Sequence, residues 1–290
     1  MGKALAENYP AARRIFEEAD RALEFPISQL CFEGPDDQLK LTENTQPALL
    51  TVSVAAFEVL KERGLLPDYV AGHSLGEYSA LVAAGSLNFA DALRLVRKRG
   101  QYMQQAVPPG VGAMAAILML PEGKLDAVLQ QAAQGEVVSA ANFNSPSQVV
   151  IAGHAAAVSR AMELAKAAGA RRVVLLPVSA PFHCALMQPA QDRLHSDLAA
   201  ADFRDLAFPL INNWQAREIR TASEARQGLL EQVPNAVRWV ESIRYLASQG
   251  VSRFIEVGAG SVLSGLLRNI DPALTGIKFN QPADIELVFS

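Results

Sequence analysis

The sequence predicts an α/β fold in which a small α+β unit interrupts a larger one. Three observations carry this reading. An apolar run, Tyr69-Val70-Ala71, enters Gly72-His73-Ser74-Leu75-Gly76 and continues into a good helical sequence from Glu77 to Ala84, a strand–turn–helix. Between about residues 110 and 178 the pattern runs β-α-β-β-α-β, the ferredoxin-like order. Half of the 290 residues are hydrophobic and mean hydropathy is +0.12, so a substantial core is expected.

Taken in order, Lys3 to Leu23 has a helical period that stops near Pro26, and the start, Met1 to Glu7, reads as amphipathic helix rather than a secretory signal. Gly34-Pro35-Asp36-Asp37 is a turn, and Pro47 to Arg63 is a long apolar helix closed by Gly64. After the serine turn, Asn88 caps a helix running to about Ala106, and Pro108-Pro109-Gly110-Val111-Gly112 breaks the chain. A strand at Ala113–Leu120, a helix at Glu122–Ala133, strands at Val137–Asn142 and Gln148–Ala152, a helix at Ala155–Ala168 and a strand at Arg171–Leu176 make the inserted unit. The domains are therefore read as 1–109 with 179–290 for the larger part and 110–178 for the smaller. The return segment holds a helix at about Pro189–Ala200, a strand at Phe208–Asn212, helices at Thr221–Gln232 and Val237–Gln249, and a strand at Arg253–Val257 leading to a helix from Val262. Gly258-Ala259-Gly260 between the last two reads as a tight turn, because Leu263 stands where a dinucleotide fingerprint needs its third glycine.

Composition narrows the function classes. Net charge is −4 with both signs interspersed, and no basic stripe points to nucleic acid. No apolar run is long enough to span a membrane. Two cysteines, Cys31 and Cys184, are too few for a disulfide framework and fit the cytoplasm. No metal or cofactor is expected.

Gly72-His73-Ser74-Leu75-Gly76 carries the clearest chemistry. A serine between a strand and a helix N-terminus is exposed on a sharp turn, and the first amides of that helix, Leu75 N–H among them, point where an oxyanion would form. Such a serine needs a base. Of the four histidines, His73 adjoins the serine and should diverge from it, His154 opens a helix, and His195 lies mid-helix among polar residues. His183, in the loop Pro181-Phe182-His183-Cys184, is the best candidate. Cys184 is read as a small buried side chain rather than a nucleophile. No Asp or Glu between Ser74 and His183 has a distinctive setting, so a backbone or amide oxygen could orient the imidazole instead. In the helix after Asn88, Leu93, Val96, Gly100 and Met103 form one buried stripe, and Arg97 and Arg99 flank it. Either guanidinium could reach a cleft and bind a substrate carboxylate.

The stretches Gly72–Leu81, Arg99–Gln104, Gly112–Ala116, Asn142–Gly153 and Pro177–Cys184 together resemble the bacterial malonyl-CoA:acyl carrier protein transacylases, over essentially the whole chain. The resemblance implies a hydrolase-like α/β core with a parallel sheet and a ferredoxin-like insert. It implies ping-pong transfer of a malonyl group from malonyl-CoA to the phosphopantetheine thiol of acyl carrier protein in fatty acid synthesis, by a monomer without cofactor. It assigns Ser74 as nucleophile, His183 as base and Leu75 N–H as oxyanion donor. It selects Arg99 over Arg97 as the carboxylate clamp, and gives Gln232, before Pro234-Asn235, as the residue whose backbone carbonyl orients the histidine. Phe182 resembles the malonyl-selecting position of related polyketide acyltransferase domains, where a ring crowds a C2 methyl branch.

One departure stands out. Members of that family begin with an apolar strand and a Gly-Gln-Gly-Ser-Gln loop, whereas Met1-Gly2 here aligns with the end of that segment. The strand belongs to the core sheet and the loop supplies a second oxyanion donor, worth roughly 10²–10³ in rate. The expectation is a longer native product. Two other readings are a serine thioesterase or esterase, which leaves Arg99 without a role, and an impaired module that binds the carrier protein without acylating Ser74.

Overall fold

The structure, a computed structural model, describes residues 1–178 and 180–290. Ser179, within the Pro177–Cys184 segment and at the expected domain boundary, lies outside the described residues.

The N-terminal half is helical. It comprises α1 (Lys3–Asn8), α2 (Pro10–Leu23), α3 (Ile27–Glu33), α4 (Asp36–Leu39) and α5 (Thr42–Lys61), then β1 (Val70–Ala71), α6 (Leu75–Ala83) and α7 (Phe89–Gln105). The single helix expected from Lys3 to Leu23 is two, because Tyr9 is extended and Pro10 takes the first position of α2. A proline has no N–H to give to the preceding turn but suits a helix start. The expected start at Pro47 is also corrected: α5 begins at Thr42 and carries Pro47 inside it. Asn88 caps α7 as expected, its side chain accepting from Ala90 N–H. Leu50, Ala55 and Leu60 of α5 and Leu93, Val96 and Met103 of α7 are fully buried in one core with Phe16 and Leu81.

The inserted unit comprises β2 (Gly112–Leu118), α8 (Leu125–Ala133), β3 (Val138–Ser145), β4 (Gln148–His154), α9 (Ala155–Ala167) and β5 (Arg172–Leu175). Its strands form one antiparallel sheet in the order β3-β4-β2-β5, the ferredoxin-like topology. Alternation along β2 divides the two faces. Ala115 and Ile117 pack with Val128, Val158 and Ala161 of the helices, while Met114 and Ala116 pack with Ala141, Val150 and Cys184. The second face thus seats the Phe182-His183-Cys184 loop against the sheet.

The return segment comprises α10 (Gln188–Ala200), β6 (Leu210–Ile211), β7 (Glu218–Ile219), α11 (Ala222–Glu231), α12 (Trp239–Ser248), β8 (Arg253–Val257), α13 (Val262–Ile270), β9 (Thr275–Phe279) and α14 (Ile285–Phe289). β1 pairs in parallel with β6, Val70 opposite Leu210 and Ala71 opposite Ile211. β8 pairs in parallel with β9 in a separate sheet. The expected parallel sheet is therefore present as two pieces. A cavity of about 650 Å³ lies between them, lined by Val70 and Ala71 on one side and Phe254, Ile255 and Val257 on the other. β1 and β8 each stand at the end of their own sheet.

Candidate active site

The turn after β1 is tight and strained. Ser74 has φ 53° and ψ −108°, a left-handed conformation that a residue with a side chain rarely adopts. Gly72 is required there, since a Cβ on it would lie 2.0 Å from the Gly76 carbonyl. Asn213, just past β6, staples the turn: its Oδ1 accepts from Ser74 N–H at 2.6 Å and its Nδ2 donates to Gly72 O at 2.7 Å. The β1–β6 pairing brings this asparagine to the serine, 139 residues away in sequence. Leu75 is the first residue of α6, so its N–H has no carbonyl one turn back within the helix.

Ser74 Oγ lies 2.7 Å from His183 Nε2. The other ring nitrogen, Nδ1, lies 2.9 Å from the carbonyl of Gln232. A carbonyl only accepts, so Nδ1 carries the hydrogen and Nε2 is left bare to accept from the hydroxyl. Burial, reinforced by the charge of Arg99, pushes the His183 pKa down from 6.5 to about 3. The ring is therefore neutral at ordinary pH, the form a general base needs. A backbone carbonyl orients it, and no carboxylate touches it among the described residues.

Arg99 projects from α7 into the same pocket and is 2 % exposed. Its Nη1 donates to Gln46 Oε1 at 2.7 Å, and its Nη2 donates to Gln232 Oε1 at 2.8 Å and to Ser74 Oγ at 3.1 Å. Its Nε has no partner. Nε and Nη2 share one edge of the guanidinium, the edge that meets a carboxylate side-on. Gln232, which follows α11, thus serves the site twice, through its carbonyl to His183 and its side chain to Arg99.

The remaining candidates fall away from the pocket. Arg97 stacks over Phe25 and donates to Leu23 O, and Arg94 pairs with Asp91 at the surface. His73 turns to Asn144 Oδ1 at 2.8 Å, beside the Trp239 ring. His154 accepts from Val137 N–H, and His195 is exposed. The Cys184 thiol faces Pro181 O and burial pushes its pKa up to about 11, so it is a poor nucleophile. Phe182 is half-buried beside His183 and packs against both the main core and the small sheet. Among the described residues no cluster of side chains could hold a metal ion, and no helix is long and apolar enough to cross a membrane.

Three participants escaped the sequence reading: Asn213, Gln46 and Glu77. Gln46 lies in the part of α5 ahead of the expected start. Glu77 is fully buried behind Ser74, accepting from Gln232 Nε2 at 2.8 Å and Asn213 N–H at 3.1 Å. Its place inside the mostly apolar first two turns of α6, Leu75–Leu81, is the one available signal.

Residues 1–282 match the acyl transferase domain model. The chain is 49% identical over 288 residues, 99% of its length and 91% of the relative's, to a malonyl CoA-acyl carrier protein transacylase of Bacillus subtilis. It is 48% identical over 96% of its length, again 91% of the relative's, to the same-named protein of Escherichia coli. The fold superposes with a TM-score of 0.97 on the crystal structure of an acyl carrier protein S-malonyltransferase from Vibrio cholerae, at 46% identity over 99% of this chain and 94% of that one. It also superposes with a TM-score of 0.96 on a malonyl-transacylase in complex with a type II PKS acyl-carrier protein, at 44% identity over 99% of this chain and 93% of that one. The chain belongs to the acyl transferase family and, within it, to the malonyl CoA-acyl carrier protein transacylases.

Proposed function

We propose that this protein moves a malonyl group from malonyl-CoA to the phosphopantetheine thiol of acyl carrier protein through an ester on Ser74. The observation that carries this reading is Arg99: a buried guanidinium with an unpartnered Nε, 3.1 Å from the serine oxygen, is suited to an acyl group that itself ends in a carboxylate. A plain esterase or thioesterase has no use for that charge.

In the first half-reaction His183 Nε2 takes the proton from Ser74 Oγ as the oxygen attacks the thioester carbon. Leu75 N–H faces the oxyanion. Collapse breaks the carbon–sulfur bond, and the CoA thiolate takes the proton from His183. In the second, the phosphopantetheine thiol gives its proton to His183 and attacks the Ser74 ester, and Ser74 leaves with that proton. Arg99 holds the free carboxylate in both. Ser74, His183 and Arg99 supply the nucleophile, the base and the charge of these steps, and we take the reaction to use no metal or cofactor. We assign to Phe182, which adjoins the base, the role of crowding a C2 methyl branch. We take residues 110–178 as a subdomain that backs the His183 loop, and the enzyme as a cytoplasmic monomer.

Incubating the protein with malonyl-CoA and reading its intact mass tests this. A malonyl adduct is expected that is absent in Ser74→Ala and persists until acyl carrier protein is added. Rapid loss of malonate to water without carrier protein would mark a thioesterase. Carrier binding with no adduct would mark a non-catalytic module. Either result overturns the proposal.

A further inference from the structure

Arg99 is held in the pocket by two glutamine amide oxygens, not by a carboxylate. An amide can face a guanidinium either way round, and only one way is attractive: its oxygen must point at the arginine. Gln46 donates through Nε2 to Thr42 Oγ1 at 3.1 Å, which orients that amide. The orientation of Gln232 is set from its other end. Its Nε2 donates to Glu77 Oε2 at 2.8 Å and to Ser74 O at 2.9 Å. Both partners are acceptors, so the NH₂ end is turned inward and Oε1 is turned to Arg99 Nη2.

Glu77 is an improbable residue to keep at this position for packing. It is fully buried, its Oε1 has no hydrogen-bond partner, and burial pushes its pKa up to about 7. Isolating a carboxylate in this way costs stability. What the residue supplies is direction: its Oε2 accepts from both Gln232 Nε2 and Asn213 N–H, and stays an acceptor even when a proton sits on Oε1. When ionised it also supplies negative charge to a buried arginine at one remove, through an amide that polarises along the chain Glu77–Gln232–Arg99.

We propose that Glu77 is a positioning residue for carboxylate recognition: through the Gln232 side chain it fixes the heading of Arg99, and so sets the preference for malonyl over neutral acyl groups. This rests on the reading of Arg99 as the carboxylate clamp. The chemistry at Ser74 and His183 uses the Gln232 carbonyl, which the side-chain relay leaves in place.

The test is the ratio of kcat/KM for malonyl-CoA to that for acetyl-CoA in Glu77→Gln, Gln232→Leu, their double variant and Arg99→Ala. Glu77→Gln keeps the shape of the side chain and leaves the Ser74 carbonyl as the one obligate acceptor that orients the relay amide. It is expected to lower the ratio about tenfold, with most of the change in the malonyl KM. Gln232→Leu removes the relay and is expected to lower it similarly, which keeps the test open if Glu77→Gln fails to fold. The double variant should fall no further than the lower single, because the two residues act in series. A ratio in Glu77→Gln or Gln232→Leu within twofold of the parent, with Arg99→Ala collapsed, overturns this inference alone. So does a double variant whose fall is the product of the singles. An unchanged ratio in Arg99→Ala overturns the clamp itself, and this inference with it.

Discussion

The pocket has two sides that differ in how they are built. On the reacting side, Ser74 and His183 are both held at positive φ, and short hydrogen bonds to Asn213 and the Gln232 carbonyl fix where each points. On the recognition side, Arg99 is relaxed on a regular helix, held by two amides and the face of the Tyr78 ring 5.6 Å away, with no carboxylate against it and Glu77 reaching it only through Gln232. The first side stores backbone strain and the second stores uncompensated charge. Both are costs that a folded core maintains where chemistry or binding recovers them. The difference implies that the two sides can be damaged separately.

The largest separable effect is expected on the recognition side. Arg99→Ala should lower malonyl-CoA kcat/KM by roughly 10²–10³, the loss of one buried charge-assisted contact, while acetyl-CoA is accepted at least as well as before. Steady-state kinetics on the two thioesters would check it, and an equal loss on both would show the two sides to be one.

Asn213→Ala strikes the other side. With its staple gone, the turn at Ser74 loses the bond that offsets its strain, and unfolding should cost about 1–3 kcal/mol less by chemical denaturation. The rate should fall by the same factor for malonyl and acetyl groups. A change in their ratio would instead tie the staple to recognition.

The smallest effect, and the one that couples the sides, is the pH profile. His183 has a pKa lowered to about 3, mostly by burial and in part by Arg99. Acylation should therefore hold its rate well below pH 6.5. Once a malonyl carboxylate pairs with Arg99, that contribution weakens, so the acid limb of transfer from malonyl-Ser74 to the thiol should sit at higher pH than that of acylation read as kcat/KM at sub-saturating malonyl-CoA, which reports the free enzyme. Rapid-quench measurement of each half-reaction separates the two, and coincident limbs would show no coupling. The same shift acts on stability. A lowered folded pKa means the unfolded chain binds protons first, so stability is lost as pH falls from 6.5 toward 3. Glu77 has the opposite sign: its pKa is raised from 4.5 to about 7, so the stability it contributes is complete below 4.5 and declines as pH rises toward 7.

How much of this was legible in the sequence follows the range of each interaction. In the inserted unit only β3 and β4 form a local hairpin, while β2 pairs with β4 and β5 across helices, and the short apolar runs Ala113–Leu120 and Gln148–Ala152 between turn signals marked the strands. β7 and β9 went unread, since the one is two residues long and the other, Thr275–Phe279, carries a glycine and a lysine in place of a continuous apolar run. The helix break at Pro10 was available but masked by the period on either side. At the site, Ser74 was legible because its turn is local. His183 was reachable by elimination among four histidines, and the choice between Arg97 and Arg99 rested on family resemblance.

The sequence by itself determined the local devices: the strand–turn–helix around Ser74, the cap at Asn88, the small antiparallel sheet, and the helix edge on which Arg99 lies. Only the tertiary structure decided which partners meet there. Asn213, Gln232, Gln46 and Glu77 converge on the pocket from four elements, two of them joined to Ser74 across more than a hundred residues. Hydrogen-bond partners over such separations follow from which helices and strands pack together, and burial is what makes each of them decisive.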